Sequence, residues 1–158
     1  MLDFATLVAA AGSALIAGSF FAFSTFVMAA LGKLPPPQGI AAMQSINIVV
    51  INPWFMTTFV GTAVLCVVLA VVSLVRWHDP GAAYLLAGAV LYFAGTFSVT
   101  MVFNVPRNDA LAKLAPSSVE AARPWIDYLS TWTAWNHVRT IAALGALVSF
   151  TIGFRLRG

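Results

Sequence analysis

The sequence predicts an all-α integral membrane protein: a four-helix bundle with a short interfacial helix in the first loop and a long fourth helix. Three observations predict it. Hydrophobic types make up 61% of the 158 residues and charged types 8%, against about 45–50% and about 25% in a soluble domain. The few charges are separated by uncharged runs long enough to cross a bilayer. The prolines and asparagines fall mainly at the ends of those runs. With eight basic and five acidic residues, the chain cannot cover a soluble surface. The composition excludes an ordinary soluble enzyme, a disordered chain and a nucleic-acid binder. A net charge of +3 provides no basic patch. The lone Cys66 excludes a disulfide framework or a multi-cysteine metal site and reads as an inert core thiol.

The elements follow in order. From Asp3 to Lys33 there are 29 uncharged residues, and about 20 apolar residues cross a bilayer. Span one is therefore placed at about 4–31. It does not read as a signal peptide, because it lacks a basic leader, its apolar run is too long and no soluble domain follows. The next uncharged run, Leu34 to Val75, has 42 residues and is broken at Pro35-Pro36-Pro37 and Asn52-Pro53. That pattern predicts a loop, a short interfacial or re-entrant helix over about 39–50, and span two at 54–75. Span three is placed at 81–103. After Arg139 only 15 uncharged residues precede Arg155. At 1.5 Å each they cover about 22 Å of the roughly 30 Å of hydrocarbon. Span four must therefore begin earlier, at about 125–155 with Pro124 near its start, and it carries His137 and Arg139 inside the membrane boundary. Residues 1–158 read as one transmembrane domain without internal repeats.

Four spans put both termini on one side and the first and third loops on the other. The polar residues gather at that second end. Gln44, Asn47 and Asn52 lie in and after the short helix. Asn104, Arg107 and Asn108 end span three, and Trp132, Trp135, Asn136, His137 and Arg139 open span four. Ser24, Thr25, Thr57, Thr58, Thr62, Thr96, Ser98 and Thr100 lie in the adjacent halves of the other spans. All five asparagines belong to this group. Arg139 is the sharpest single residue, since an arginine at a helix centre costs about 2.5–3.5 kcal/mol. It requires a partner, water or a ligand, or else it snorkels to the interface. His137 reads either as a core histidine bonded to a neighbouring helix or as a base. His78 reads as interfacial. Trp132 and Trp135 read either as a pocket wall or as part of the interfacial aromatic belt.

Helical phase orders these residues. Trp125, Tyr128, Trp132, Asn136 and Arg139 form one stripe. His137 is turned about 100° from Asn136 and about 160° from Arg139, so His137 and Arg139 cannot reach one atom from a regular helix. Gly145, Ser149 and Gly153 form a row of small residues that permits close helix approach, either within the chain or in a homo-oligomer. No phosphate loop, nucleophile elbow or metal motif is present. Intramembrane carboxylates are absent, which argues against a cation pump. The absence of an internal repeat argues against a transporter.

Several strings together resemble a known family. They are Phe20-Phe21-Ala22-Phe23-Ser24, Ala42-Met43-Gln44-Ser45-Ile46-Asn47, Asn52-Pro53-Trp54-Phe55-Met56 and Gly61-Thr62. Asn104-Val105-Pro106-Arg107-Asn108 and Trp132-Thr133-Ala134-Trp135-Asn136-His137-Val138-Arg139-Thr140 complete the set. Over nearly its whole length the chain resembles the anthrone oxygenase-like family of small membrane proteins. The resemblance implies oxidation of a flat apolar, anthrone-like or quinone-like substrate by dioxygen. Matched to that chemistry, a site needs a base, donors for an oxyanion and an apolar slot. The expected catalytic residues are His137 as base with Arg139 and Asn136, and Asn104 is a further oxyanion donor. The expected substrate-binding residues are Asn104, Asn108, Arg107, Trp132, Trp135, Asn47, Gln44 and Asn52. No cofactor is expected. A haem or metal stays open as a rival, held by a partner chain's ligands or by Met28, Met43, Met56 or Met101. A non-catalytic lipid- or quinone-binding accessory protein is the second rival, with Arg139 on an acidic headgroup or a carbonyl. The expected partners are an apolar small molecule or lipid and the membrane, with no nucleic acid. The termini face carries Arg76, Arg155 and Arg157 and the site face Lys33, Arg107, Lys113 and Arg123, a count that slightly favours the site face inside, but the terminal segments are very short. With Arg107 assigned to the pocket, the expectation is a bacterial inner membrane with both termini cytoplasmic.

Overall fold

A computed structural model describes residues 1–158, and all regular structure in it is helical. Four helices are long and apolar enough to cross a membrane: α1 (Leu2–Gly32), α3 (Pro53–Val75), α4 (Ala82–Ala112) and α5 (Val119–Arg155). A short helix, α2 (Pro36–Val49), lies between the first two. Helix α1 packs against α3 and α5, and α4 packs against the same two, closing a four-sided ring. Helix α2 lies across the end of that ring, touching the last turn of α1, the end of α4 and the start of α5.

The element boundaries follow local chemistry. Helix α2 begins three residues before the expected Gly39, because Pro36 and Pro37 supply first-turn residues whose fixed φ suits a helix start. Asn52 caps α3: its side chain accepts the Phe55 N–H at 3.1 Å. Helix α4 extends nine residues beyond its expected end, running to Ala112 instead of 103. The reason lies at Pro106, whose missing N–H and bulky ring conflict with a regular α-turn. A wide π turn at Thr100–Asn104 directly precedes it, and such a turn absorbs the conflict without ending the helix; another wide turn lies earlier, at Leu91–Ser98. Helix α5 opens with a tight 3-10 turn at Val119–Ala121 and carries Pro124 in its first α turn.

Two apolar clusters fill the bundle. The larger lies along the spans and contains Ile16, Phe20, Phe59, Cys66, Leu69, Leu85, Tyr92 and Phe150. The smaller, at the polar end, contains Met28, Leu31, Ile40, Met43, Leu111, Trp125, Tyr128 and Trp132. Large apolar side chains such as Phe4, Val64 and Ile141 point outward and are well exposed. In a bilayer that outer surface meets acyl chains. At the opposite end Gly81 adopts φ +79, and a Cβ there would come within 2.6 Å of the Gly153 carbonyl oxygen. Gly145 also faces α4, where a Cβ would meet Leu91 at 3.2 Å. In the row Gly145, Ser149 and Gly153, both glycines pack closely within the chain, Gly153 against Leu85 and Gly81. Arg157 ties both ends of this face together, pairing with Asp3 at 3.1 Å and Asp79 at 3.8 Å.

Candidate functional site

Helix α5 buries one stripe of polar and aromatic side chains against α1 and α4. Trp125, Tyr128, Trp132, Asn136 and Arg139 are all buried. Arg139 retains only 3% of its surface. It lies at the seam between the two apolar clusters, with its guanidinium carbon 4.0 Å from the Phe20 ring centre and 4.9 Å from that of Trp132. Phe20 belongs to the larger cluster and Trp132 to the smaller. The arginine is thus clamped between aromatic faces contributed by α1 and α5.

Its polar partners are neutral. Nη2 donates to Asn136 Oδ1 at 2.6 Å and Nη1 donates to Thr100 Oγ1 at 3.2 Å. Each hydrogen bond to a charged group contributes about 1.5–3 kcal/mol, and a desolvated cation over a ring about 2 kcal/mol. Together these offset the insertion cost of about 2.5–3.5 kcal/mol, so the side chain stays inside without a carboxylate. Arg139 takes part in none of the chain's ion pairs. A guanidinium carries five N–H donors, and the protein accepts from only two of its nitrogens. Arg139 Nε is buried without a partner.

A network of amides fixes the surroundings. Asn136 Nδ2 donates to the Phe20 carbonyl and to Ser24 Oγ, both at 2.7 Å. Ser24 shares a 3.0 Å hydrogen bond with Thr140. Both α1 groups lie at the edge of its wide turn at Phe23–Val27. Asn104 Nδ2 donates to the Trp132 carbonyl at 3.2 Å, and its Oδ1 is buried without a partner. Asn108 Oδ1 accepts from Tyr128 Oη at 2.9 Å and from Trp132 Nε1 at 2.8 Å. Asn47 lies beside the Tyr128 hydroxyl.

The residues singled out by sequence do not all meet. Arg139, Asn136, Asn104, Asn108 and Trp132 converge on one network. Gln44 and Asn52 serve the backbone. Gln44 Nε2 donates to the Leu111 and Leu114 carbonyls at 2.9 and 3.0 Å, tying α2 to the end of α4. Asn52 uses its amide in the α3 cap and donates to the Val49 carbonyl at 3.0 Å. Trp135 stacks on Phe103 at 3.6 Å between ring centres, beside the network. Arg107 donates to the Phe103 carbonyl and to Thr131 at the rim.

His137 is not brought to the cluster. It is exposed on the outer face of α5, where the rotation of one residue from Asn136 places it. Phe20, Ser24, Thr100 and Tyr128 complete the network but were not named as site residues from the sequence. Tyr128 lies on the predicted stripe, so phase alone could have added it. Phe20 sits in an apolar string on another helix, and only tertiary packing reveals its ring under the guanidinium. No three metal-binding side chains of the His, Cys, Asp or Glu types gather anywhere in the chain.

A family model described as anthrone oxygenase matches residues 55–149, more than half of the chain. No curated protein and no solved structure matches it. The match spans α3 and α4 and most of α5, so it includes Asn104, Asn108, Trp132, Asn136 and Arg139 and supports an oxygenase-like kind of function. The chain belongs to the anthrone oxygenase family.

Proposed function

We propose that the chain oxidises a flat, apolar carbon acid of the anthrone type with dioxygen, and that Arg139 holds the oxygen on which negative charge develops. The single observation that supports this reading most is the buried, uncompensated Arg139 with an unpartnered Nε. A preorganised cation in a dry site stabilises an enolate strongly, because no solvent has to reorganise around the new charge.

The chemistry balances without a resident cofactor. The CH₂ across the central ring from the substrate carbonyl, acidified through the two flanking aromatic rings, gives up a proton to solvent at the polar end of the bundle. The carbonyl oxygen becomes an enolate oxygen facing Arg139, with Asn136 orienting the guanidinium. The enolate passes one electron to dioxygen. The resulting carbon radical and superoxide combine, take up a proton and form a hydroperoxide. Loss of water turns the former CH₂ into a second carbonyl. One anthrone and one dioxygen thus give one anthraquinone and one water. The setting we propose is a bacterial inner membrane with both termini cytoplasmic.

Oxygen uptake with anthrone in membranes carrying the chain tests this reading. Arg139→Gln is expected to lower uptake by about 10²–10³-fold, the range for removing an oxyanion donor. Arg139→Lys retains charge and is expected to fall between that variant and the parent. His137→Ala is expected to leave uptake unchanged, whereas loss of a general base costs about 10²–10⁴-fold. Substrate binding without uptake in the parent protein would assign a non-catalytic quinone-binding role instead. A Soret band in the purified sample would assign a haem protein.

A further inference from the structure

A cavity of about 330 Å³ opens between the last turns of α4 and the first turns of α5, beside the Arg139 network and sharing Tyr128 with it. Its apolar wall is formed by Leu111, Leu114 and Pro124, with Ala110 beside them. Its polar groups are Arg107, Asp127, Thr131 and Tyr128. Arg107 spends Nε on Thr131 at 3.2 Å and Nη1 on the Phe103 carbonyl at 2.6 Å. Its remaining terminal nitrogen makes no bond to the protein. The Asp127 carboxylate also makes none: only the backbone carbonyl of Asp127 accepts, from Ser130 and Thr131. The two side chains line one cavity yet form no ion pair with each other.

We infer that this cavity is a binding site for a neutral, hydroxylated aromatic ketone, held before it reaches Arg139. A donor and an acceptor of opposite charge, each unpartnered, match a ligand that carries both a carbonyl and a hydroxyl. Arg107 donates to the carbonyl and Asp127 accepts from the hydroxyl. The carboxylate disfavours a phosphate headgroup or a carboxylate ligand, because a second negative charge would face it across a small cavity. A volume of this size suits a small-molecule ligand, and the apolar wall takes the flat body. The wall residue Tyr128 connects the cavity to the inner site. Its hydroxyl donates to Asn108 Oδ1, which also accepts Trp132 Nε1, and the Trp132 ring faces Arg139. One amide thus separates the cavity wall from the arginine clamp.

The identity of the ligand as a substrate rests on the oxygenase reading above; the donor and acceptor pair does not. The test is quenching of tryptophan fluorescence in the detergent-solubilised full chain by 2-(hydroxymethyl)anthraquinone, whose hydroxyl is free of internal hydrogen bonds, and by unsubstituted anthraquinone. Both carry the carbonyl, and only the first carries a hydroxyl. The parent is expected to bind the hydroxylated probe about tenfold tighter or more, as a charge-assisted hydrogen bond implies. Asp127→Leu removes an exposed side chain without internal bonds and is expected to bring the ratio close to one. Ala110→Trp fills the cavity from its exposed rim and is expected to raise KM for a hydroxylated anthrone while kcat holds. An unchanged binding ratio in Asp127→Leu together with an unchanged KM in Ala110→Trp overturns the inference. Absence of oxygen uptake with the binding pattern intact removes the oxygenase reading and leaves this site standing.

Discussion

At the scale of the residue, the site turns on one charge without a counter-charge. Arg139 is held by two neutral acceptors and two aromatic rings. If its role were packing alone, giving it a carboxylate would be harmless. Thr100→Asp makes that distinction, because Thr100 Oγ1 already accepts from Nη1 at 3.2 Å. The aspartate would convert a charge–dipole contact into a buried pair at nearly the same position. Thermal stability in detergent is expected to stay at or above that of the parent, while anthrone-dependent uptake falls by about 10²-fold, as for loss of an oxyanion contact. Retained uptake in a folded Thr100→Asp protein would sink the role assigned to the free cation. The prominence of Arg139 was legible in the sequence, since it is the one cation that a 15-residue remainder forces into the membrane. Its neighbours on α5 followed from helical phase. Phe20 did not, because nothing in an apolar string marks which ring will meet a guanidinium more than a hundred positions later.

At the scale of the element, backbone irregularities decide which side chains meet. The span lengths were legible because hydrocarbon thickness imposes them. The passage of α4 through Pro106 was not, because a proline ordinarily signals a boundary and the wide turn that absorbs it leaves no composition of its own. That turn extends the helix far enough to bring Arg107 and Asn108 over the start of α5. Helical phase likewise separates His137 from Arg139 without deciding which of them faces inward. Burial decides that in favour of the stripe that already carried Trp125, Tyr128 and Trp132. At the opposite end, the α3–α4 turn depends on Gly81, with its left-handed φ of +79 and the Gly153 carbonyl 2.6 Å from any Cβ. Gly81→Ala is therefore expected to cost about 1–2 kcal/mol for backbone strain, with a further loss from the clash. Thermal melting in detergent should show the drop, and an unchanged melting temperature would refute the close approach. Gly158→Ala, which meets nothing within 4 Å, is the matched control.

At the scale of the whole molecule, four crossings fix a relation that holds for either orientation. Both termini share one side, and the α1–α2 loop lies on the other with the Arg107–Asp127 cavity. Arg157 supports the first half of that statement by reaching Asp3, near the opposite end of the chain. The lone cysteine makes the relation measurable. Cys66 has no exposed surface, so a water-soluble reagent cannot reach its sulfur. The parent chain is thus a silent background for a membrane-impermeant maleimide. Leu34→Cys and Gly158→Cys add one exposed thiol each, at opposite ends of the bundle. In intact bacterial spheroplasts, Leu34→Cys is expected to label directly and Gly158→Cys only after the membrane is opened. The reverse pattern would keep the bundle and invert it, moving the cavity to the cytoplasmic side. Labelling of both from the same side would break the four-span topology itself. It would also remove Arg139 from the bilayer, because the 15 residues from Thr140 to Phe154 would no longer be the remainder of a crossing.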